Sequence, residues 1–176
     1  TVLLCDRAGV PLTSPLLYRD RVPDAIIPTL QQIAPSDHVV QSASSSLAKL
    51  LYWQQQDIFS QAHYFLHQAD WLASLLHNKL GISDYHNALK LGYDVQNLCY
   101  PQWLQNLASF SILPQVLPPG TSVGTITPDI AQRFHFPPEC EVATGTTDSI
   151  AAFIASGATQ PGEAVTSLGS TLVLKL

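Results

Sequence analysis

The chain has 176 residues, of which 46% are apolar, and a formal net charge of −5. This is enough for one domain with a real core, or for one domain and part of another. The acidic balance and the scattered Lys and Arg exclude the basic surface of a protein that binds nucleic acid or an anionic membrane. No apolar run is as long as a membrane span and no signal-peptide pattern is present, so we expect a cytoplasmic protein.

The first half of the sequence predicts short elements separated by turns. In chain order these are a strand over 1–5, a turn over 6–9, an extended return over 10–18, a helix between Pro23 and Pro35, and a helix start at 42–46. Apolar residues at helical spacing then predict a long helix from about Ile58 to Leu80, ended by Gly81. Ser83 is expected to cap another short helix.

Histidines and cysteines give no metal or disulfide pattern. Cys5, Cys99 and Cys140 are odd in number and far apart, which argues against a disulfide framework or a zinc site. His63 and His67 have i, i+4 spacing, but no recognised third ligand accompanies them, so a structural or surface role is favoured over a metal site. His63 and Asp70 lie near the apolar stripe of the predicted long helix, so a polar pair in the core is favoured over a catalytic role for these two residues.

The second half alternates strands and helices. In chain order it predicts a helix opened by Pro101, a proline-rich connector over 113–120, a strand over 121–126, a helix begun by Thr127-Pro128-Asp129, and a strand over 141–144. The fold class is therefore α/β, with a helical insertion between Leu47 and Phe110. The last of these strands leads directly to Asp148.

Asp148 is the candidate catalytic residue. It follows a small, hydroxyl-rich turn and stands where an Ala-rich helix is expected to start, so the helix dipole favours its charge. A carboxylate beside a glycine-hinged loop can accept a proton from a substrate hydroxyl, as the Asp base of phosphoryl transfer does. From the residues alone, a simple helix cap is the more common role for such an Asp.

A second loop is a candidate phosphate site. Gly169, Ser170 and Thr171 lie between Val165 and Val173, which are strand-like. Backbone N–H groups and hydroxyls in such a turn can approach a phosphate, although an ordinary hairpin turn has the same pattern.

The order of motifs resembles the FGGY carbohydrate kinases, within them the ribulokinase- and xylulokinase-like group. The matching segments are Asp6–Leu12, Asp20-Arg21, Ser45–Trp53, Asp70-Trp71-Leu72, Lys79-Leu80-Gly81, Asp84–Ala88, Leu113–Val116, Gly124–Thr127 and Ala131. The best single match comprises Gly145, Asp148, Ala151-Ala152, Gly157, Pro161-Gly162 and Ser167–Thr171. Three details depart from the family pattern: Arg21 follows Asp20 directly, Trp53 stands one place late, and Ser170 and Thr171 are exchanged.

This resemblance implies an actin-like, ribonuclease-H-like fold of two domains, present here as a partial chain. Residues 1–146 would finish the N-terminal sugar-binding domain, and residues 147–176 would begin the C-terminal ATP-binding domain. Asp148 would then contact the sugar and act as the base. Gly169, Ser170 and Thr171 would approach the phosphates of ATP, with Mg²⁺ as its metal.

Both ends of the sequence are strand-like, and it opens without Met. We therefore expect a piece of a longer protein. The family's first phosphate and metal loop would precede Thr1, and its adenine-binding segment would follow Leu176. The 176 residues alone are accordingly expected to have little or no kinase activity.

The implied activity is an ATP-dependent sugar kinase acting on a ketopentose, D-ribulose first and D-xylulose second. Two alternatives remain open at this stage. One is an actin-fold sugar or nucleotide sensor without turnover, for which the exchanged residues Ser170 and Thr171 and the shifted Trp53 leave room. The other is a non-enzymatic assembly module, supported by the high apolar fraction. The sequence does not determine the oligomeric state.

Overall fold

The computed structural model describes residues 1–168 and 172–175. They form two compact units: unit 1 is Thr1–Gly145, and unit 2 begins at Thr146. The assignment of the two parts to a sugar-binding and an ATP-binding domain stays a prediction.

The described residues mix strands and helices along the whole chain. The strands are β1 (Val2–Cys5), β2 (Tyr64–His67), β3 (Ile82–Asp84), β4 (Gln115–Leu117), β5 (Ser122–Thr125), β6 (Glu141–Ala143), β7 (Val165–Leu168) and β8 (Leu172–Lys175). The α-helices are α1 (Ile27–Ile33), α2 (Ser46–Gln54), α3 (Gln68–His77), α4 (Tyr85–Ala88), α5 (Gln102–Gln105), α6 (Pro128–Phe134) and α7 (Asp148–Ala155). This alternation confirms the α/β class. Among these described helices, none is long and apolar enough to cross a lipid bilayer.

The strands associate in pairs. β1 is antiparallel to β2, and β5 to β6, whereas β3 and β4 are parallel. The segment after β1 returns along its other edge, where Val2 bridges Leu16 and Cys5 bridges Pro11. β1 therefore has partners on both edges. Its alternate side chains pack into two different core clusters, one on each face of the strand, which explains why all four of its residues are buried.

A tight turn connects β1 to its return segment, as the sequence predicts. The Asp6 carboxylate accepts hydrogen bonds from the backbone N–H groups of Ala8 at 2.8 Å and Val10 at 2.9 Å. Gly9 has a φ of +79°, which suits glycine. The Trp71 indole donates to the Gly9 carbonyl at 2.9 Å and so attaches this turn to α3.

The main core of unit 1 lies around α2. Ser45 caps this helix, since its hydroxyl accepts from the Ala48 N–H at 3.1 Å. Lys49 is only 2% exposed, and its ammonium donates to the Leu17 carbonyl. Burial is the main cause that lowers the pKa of Lys49. The largest fully buried apolar side chains of this core are Leu4, Ile26, Leu30, Leu47, Leu50, Phe65, Leu91 and Leu104.

The predicted long helix from Ile58 to Leu80 is wrong in its first half. Residues 57–61 form a 3-10 turn, β2 follows at Tyr64, and only α3 is helical. The reason is tertiary: β2 satisfies its backbone by pairing with β1, at Leu66 opposite Leu3 and Phe65 opposite Leu4. Periodicity within one segment contains no information about that distant partner.

Unit 2 contains α7 and an antiparallel hairpin of β7 and β8. Val165 pairs with Lys175, and Leu168 with Leu172. Among the described residues of this unit, large apolar side chains including Ile154, Leu168, Leu172 and Leu174 are exposed.

Two substitutions test the position of β2. Phe65→Ala should lower the free energy of unfolding by about 3–5 kcal/mol, because it removes a fully buried aromatic ring from a packed core. Leu72→Ala, at a position that is 48% exposed, should cost within about 0.5 kcal/mol. Chemical denaturation measures both. A continuous helix over 58–80 would give the opposite order, because Leu72 and not Phe65 lies on its apolar stripe.

Candidate functional site

Asp148 is exposed at the first position of α7, directly after the loop that follows β6. One of its carboxylate oxygens, Oδ1, accepts from the Ser149 N–H at 2.7 Å. Thr147, and not Asp148, is the N-cap: the Thr147 hydroxyl accepts from the Ile150 N–H at 3.4 Å. The simple-cap interpretation of Asp148 is therefore wrong, although its charge still lies in the first helical turn, where the dipole favours it.

Lys175, the last residue of β8, contacts the first turn of α7. Its ammonium donates to the Ser149 hydroxyl at 2.6 Å and also to the Ser149 carbonyl. The ammonium lies 6.0 Å from the centre of the Phe153 ring, within the range of a cation–π contact. These contacts fix the backbone next to Asp148 from within unit 2.

The predicted phosphate-binding residues Gly169, Ser170 and Thr171 lie outside the described residues. The strands that flank them are described and pair with each other, as a hairpin requires. A role of these residues at the phosphates of ATP stays a prediction.

The two candidate histidines do not share a helix face. His63 is exposed in the loop before β2, whereas His67 is the buried last residue of β2. The core polar pair is His67 with Asp70: His67 Nδ1 lies 3.1 Å from Asp70 Oδ2, and the His67 backbone N–H also donates to that oxygen at 3.3 Å. The expected pairing of Asp70 with His63 is wrong. β2 begins at Tyr64, so His63 lies in the exposed loop before this strand and not on a helix with Asp70.

A cavity of about 130 Å³ lies in unit 1, between α3, β3, β5 and the end of β6. Its polar lining residues are Asp70, His77, Ser83, Asp84 and Thr144. Its other lining residues are Ala69, Ala73, Ile82, Val123, Ala143 and Gly145. The cavity thus has mainly apolar walls with a few polar groups, and the sequence did not identify it as a site.

Asp84 and Thr144 use their polar atoms within the fold. Asp84, not Ser83 as predicted, caps α4: its Oδ1 accepts from the N–H groups of His86 at 2.9 Å and Asn87 at 3.0 Å. Its Oδ2 accepts from the Asn87 side-chain amide at 2.6 Å. The Thr144 hydroxyl donates to the Pro118 carbonyl at 2.6 Å. These two residues therefore build the walls of the cavity.

His77, in contrast, has a free ring nitrogen. The Lys79 backbone N–H donates to His77 Nδ1 at 3.1 Å, so the neutral ring has its proton on Nε2. Among the described residues, Nε2 has no hydrogen-bond partner. The pKa of His77 is lowered chiefly by burial and secondly by the positive charge of Lys79. A hydrogen bond with the backbone of His77 itself has a smaller, opposite effect. The ring is therefore neutral and offers an N–H donor.

The lowered pKa of His77 predicts a pH dependence of stability. The folded state favours the neutral His77 ring, and this preference stabilises the fold. The full stabilisation is present above the pKa of histidine in the unfolded chain, about 6.5. It is lost as pH falls through the lower pKa that His77 has in the folded state. We expect the free energy of unfolding to fall between neutral and acidic pH, and to fall less in His77→Phe. Lys79→Met should raise the pKa of His77, as followed by NMR titration. A steeper pH dependence in His77→Phe would contradict the assignment.

The described residues show no cluster of three or more His, Cys, Asp or Glu side chains that could hold a metal ion. All three cysteines are free thiols: Cys5 is buried, Cys99 exposed and Cys140 intermediate. Burial, with a smaller effect of Asp6, raises the pKa of Cys5 to about 11, so its thiol is protonated and unreactive at neutral pH.

Sequence reasoning missed the cavity and Lys175. A signal for the cavity existed in the spacing of Ala69, Ala73 and His77, which places two small residues and one imidazole on one face of α3. Lys175 is the only charged residue in an otherwise apolar strand, which marks it for a specific contact.

Comparisons with known proteins agree with the motif order. No protein-family model matches the sequence. Over 131 residues, the chain is 25% identical to a ribulokinase from Halalkalibacterium halodurans, an alignment that covers 68% of this chain and 23% of the relative. The chain therefore spans less than a quarter of that relative.

Solved structures of sugar kinases have the same fold. A xylulose kinase from Rhodospirillum rubrum superposes with a TM-score of 0.84 at 23% identity, covering 96% of this chain and 36% of that one. A xylulose kinase from Lactobacillus acidophilus gives 0.85 at 17% identity, covering 98% and 37%. A glycerol kinase from Plasmodium falciparum gives 0.78 at 18% identity, covering 99% and 37%.

The fold is thus part of the actin-like ATPase fold found in sugar kinases, as the sequence predicted. The ribulokinase similarity, together with these structures, confirms the resemblance to the FGGY carbohydrate kinases. The relative and the structural neighbours of this chain named above are phosphotransferases that act on carbohydrates.

Proposed function

We propose that the whole protein containing this chain is an ATP-dependent sugar kinase. The observation that supports this most is the likeness of nearly the entire chain to sugar kinases, at TM-scores of 0.84 and 0.85 with the two xylulose kinases. The ribulokinase similarity adds independent support from sequence.

Asp148 is the proposed catalytic base. Its exposed carboxylate stands at the start of α7, and only one of its oxygens, Oδ1, accepts a hydrogen bond among the described residues. The second oxygen is available to accept the proton of an attacking sugar hydroxyl. Lys175 and Thr147 hold the first turn of the helix, so the carboxylate is presented from a fixed backbone.

ATP and Mg²⁺ are the proposed cosubstrate and metal; when bound, they supply the phosphoryl group and neutralise its charge. The described residues offer no three-ligand metal cluster. Mg²⁺ commonly binds through one or two carboxylates, waters and the phosphates of the nucleotide. Gly169, Ser170 and Thr171 are proposed to approach those phosphates.

A ketopentose is the proposed substrate, D-ribulose first and D-xylulose second. The named activities of the relatives include both ribulokinase and xylulose kinase, and thereby support this class. They also include glycerol kinase, so the test needs a panel of both ketoses and polyols.

The experiment measures ADP release by the whole protein with ATP, Mg²⁺ and a panel of ketoses and polyols. One pentulose should support turnover, and Asp148→Asn should lower kcat by about 10²- to 10⁴-fold, the usual contribution of a general base. Sugar binding, measured separately, should persist in this variant.

Asp129→Asn is a matched control, because Asp129 is also an exposed carboxylate in the first turn of a helix, α6. Both variants lose a similar helix-dipole interaction, worth about 0.3–1 kcal/mol, but only Asp148→Asn should lose turnover. Equal activity in the two variants would remove Asp148 from the mechanism. Sugar binding without turnover in the unmodified protein would favour a sensor.

A further inference from the structure

We propose that Lys175 is a positioning residue for the reaction, which joins the strand after the proposed phosphate-binding residues to the helix that presents Asp148. The inference rests on the proposed kinase function and goes beyond it, because it assigns Lys175 the task of fixing the proposed base relative to residues 169–171. Three observations in unit 2 support it: the face of β8 on which Lys175 lies, the contacts of its ammonium, and its charge.

Lys175 lies on the face of the hairpin that contacts α7. Successive strand residues point to opposite faces, so Lys175 shares a face with Val173 and, across the strand pair, with Val165. Leu172 and Leu174 point to the other face, where they are 69% and 60% exposed. Val173 is only 38% exposed. The side chain of Lys175 is therefore directed toward the helix and not away from it.

The ammonium of Lys175 contacts two successive turns of α7. It donates to the Ser149 hydroxyl at 2.6 Å and also to the Ser149 carbonyl, and it lies 6.0 Å from the centre of the Phe153 ring. Ser149 and Phe153 are four residues apart and so lie on one face of the helix. Because β8 follows residues 169–171 directly in the sequence, these contacts link that segment to the first turn of α7.

The ammonium binds the neighbour of Asp148 and leaves the carboxylate itself available. Among the described residues, Lys175 makes no ion pair with Asp148, and the Asp148 carboxylate accepts one hydrogen bond, from the Ser149 N–H to Oδ1. A lysine bound directly to this carboxylate would occupy an oxygen that the proposed base needs. Contact through Ser149 instead fixes the backbone and keeps the capacity of Asp148 to accept a proton.

The charge of Lys175 does not suit the end of the helix that it contacts. The N-terminus of a helix has a partial positive charge, so a cation there is unfavourable for the helix itself. Helix stability therefore does not explain why a lysine contacts this turn. A cation becomes favourable beside negative charge, which Asp148 supplies and which the phosphates of ATP are proposed to supply.

The test measures kcat and KM of the whole protein with ATP, Mg²⁺ and the sugar that supports turnover. Lys175→Met removes the ammonium and keeps an unbranched side chain. It should lower kcat about 10- to 100-fold, because small misplacements of a reacting group have effects of this size. The KM for sugar and for ATP should change within about twofold, since binding of each substrate is not the function assigned to Lys175.

Two further variants are the rescue and the control. Lys175→Arg keeps the charge and can donate to both Ser149 oxygens, so it should recover most of the rate. Lys90→Met removes a lysine that is exposed in unit 1, and it should keep the rate of the unmodified protein. A large loss of rate in Lys90→Met as well would show a general effect of charge and contradict the proposal.

A double substitution shows whether Lys175 acts through Asp148. In the Asp148→Asn background, Lys175→Met should change kcat within about twofold, because the group through which it acts is already absent. The same fold-loss in both backgrounds would overturn the proposal, since Lys175 would then act independently. A higher KM for ATP with unchanged kcat would also overturn it, because Lys175 would then serve nucleotide binding.

NMR of the whole protein separates this inference from the kinase proposal, because it needs no turnover. Lys175→Met should shift the side-chain carboxylate resonance of Asp148 and lower the backbone order parameters of Ser149 and Ile150. Lys90→Met should change neither. Thermal unfolding shows whether Lys175→Met remains folded. If it does not, Ser149→Ala removes one of the two acceptors and should produce the same changes to a smaller degree.

The two proposals fail in different ways. These NMR changes in a protein without turnover would remove the kinase proposal and leave Lys175 as the residue that positions Asp148. Turnover that is equal in Lys175→Met and in the unmodified protein would leave the kinase proposal and overturn this one. Unchanged NMR signals of Asp148 and Ser149 in Lys175→Met would overturn it as well.

Discussion

The pairing of β2 with β1 is the constraint on which the arrangement of unit 1 depends. β1 is held on both edges, and its register places Val2 opposite His67, the last residue of β2. α3 begins at the next residue, and the His67 N–H and ring nitrogen both contact the Asp70 carboxylate. The start of α3, and with it the polar wall of the cavity, is therefore set by a strand more than sixty residues earlier in the chain.

Sequence reasoning succeeded where local chemistry decides the structure. Asp6 and Gly9 specify a turn, Ser45 caps α2, and Pro128 begins α6 at the predicted place. It failed at β2, because apolar residues at helical spacing cannot reveal a distant strand partner. The same limit applies to the sites. Asp148 stands out in a local pattern, whereas His77, Ser83 and Thr144 lie far apart in sequence and meet only through the fold.

Carboxylates in this protein have two different surroundings, which indicate two different roles. Asp84 accepts three hydrogen bonds and is almost completely buried, so its oxygens are committed to the start of α4. Asp148 is exposed and accepts one hydrogen bond through Oδ1 among the described residues. An acceptor with free capacity can take a proton from a ligand, whereas a saturated one holds the backbone. Hydrogen-bond saturation thus separates the two kinds of acidic residue more clearly than sequence position does.

Because the Trp71 indole donates to the Gly9 carbonyl, its spectroscopic signals report whether the turn after β1 is in contact with α3. The Trp71 ring is partly buried against Leu3, Cys5 and Leu66, and its N–H is committed to a backbone carbonyl 62 positions earlier. Detachment of the turn from α3 would expose that N–H to water, which changes indole emission and proton exchange together. Trp53 and Trp103 pack with the other core cluster, so the three tryptophans of the chain report on two separate regions of unit 1.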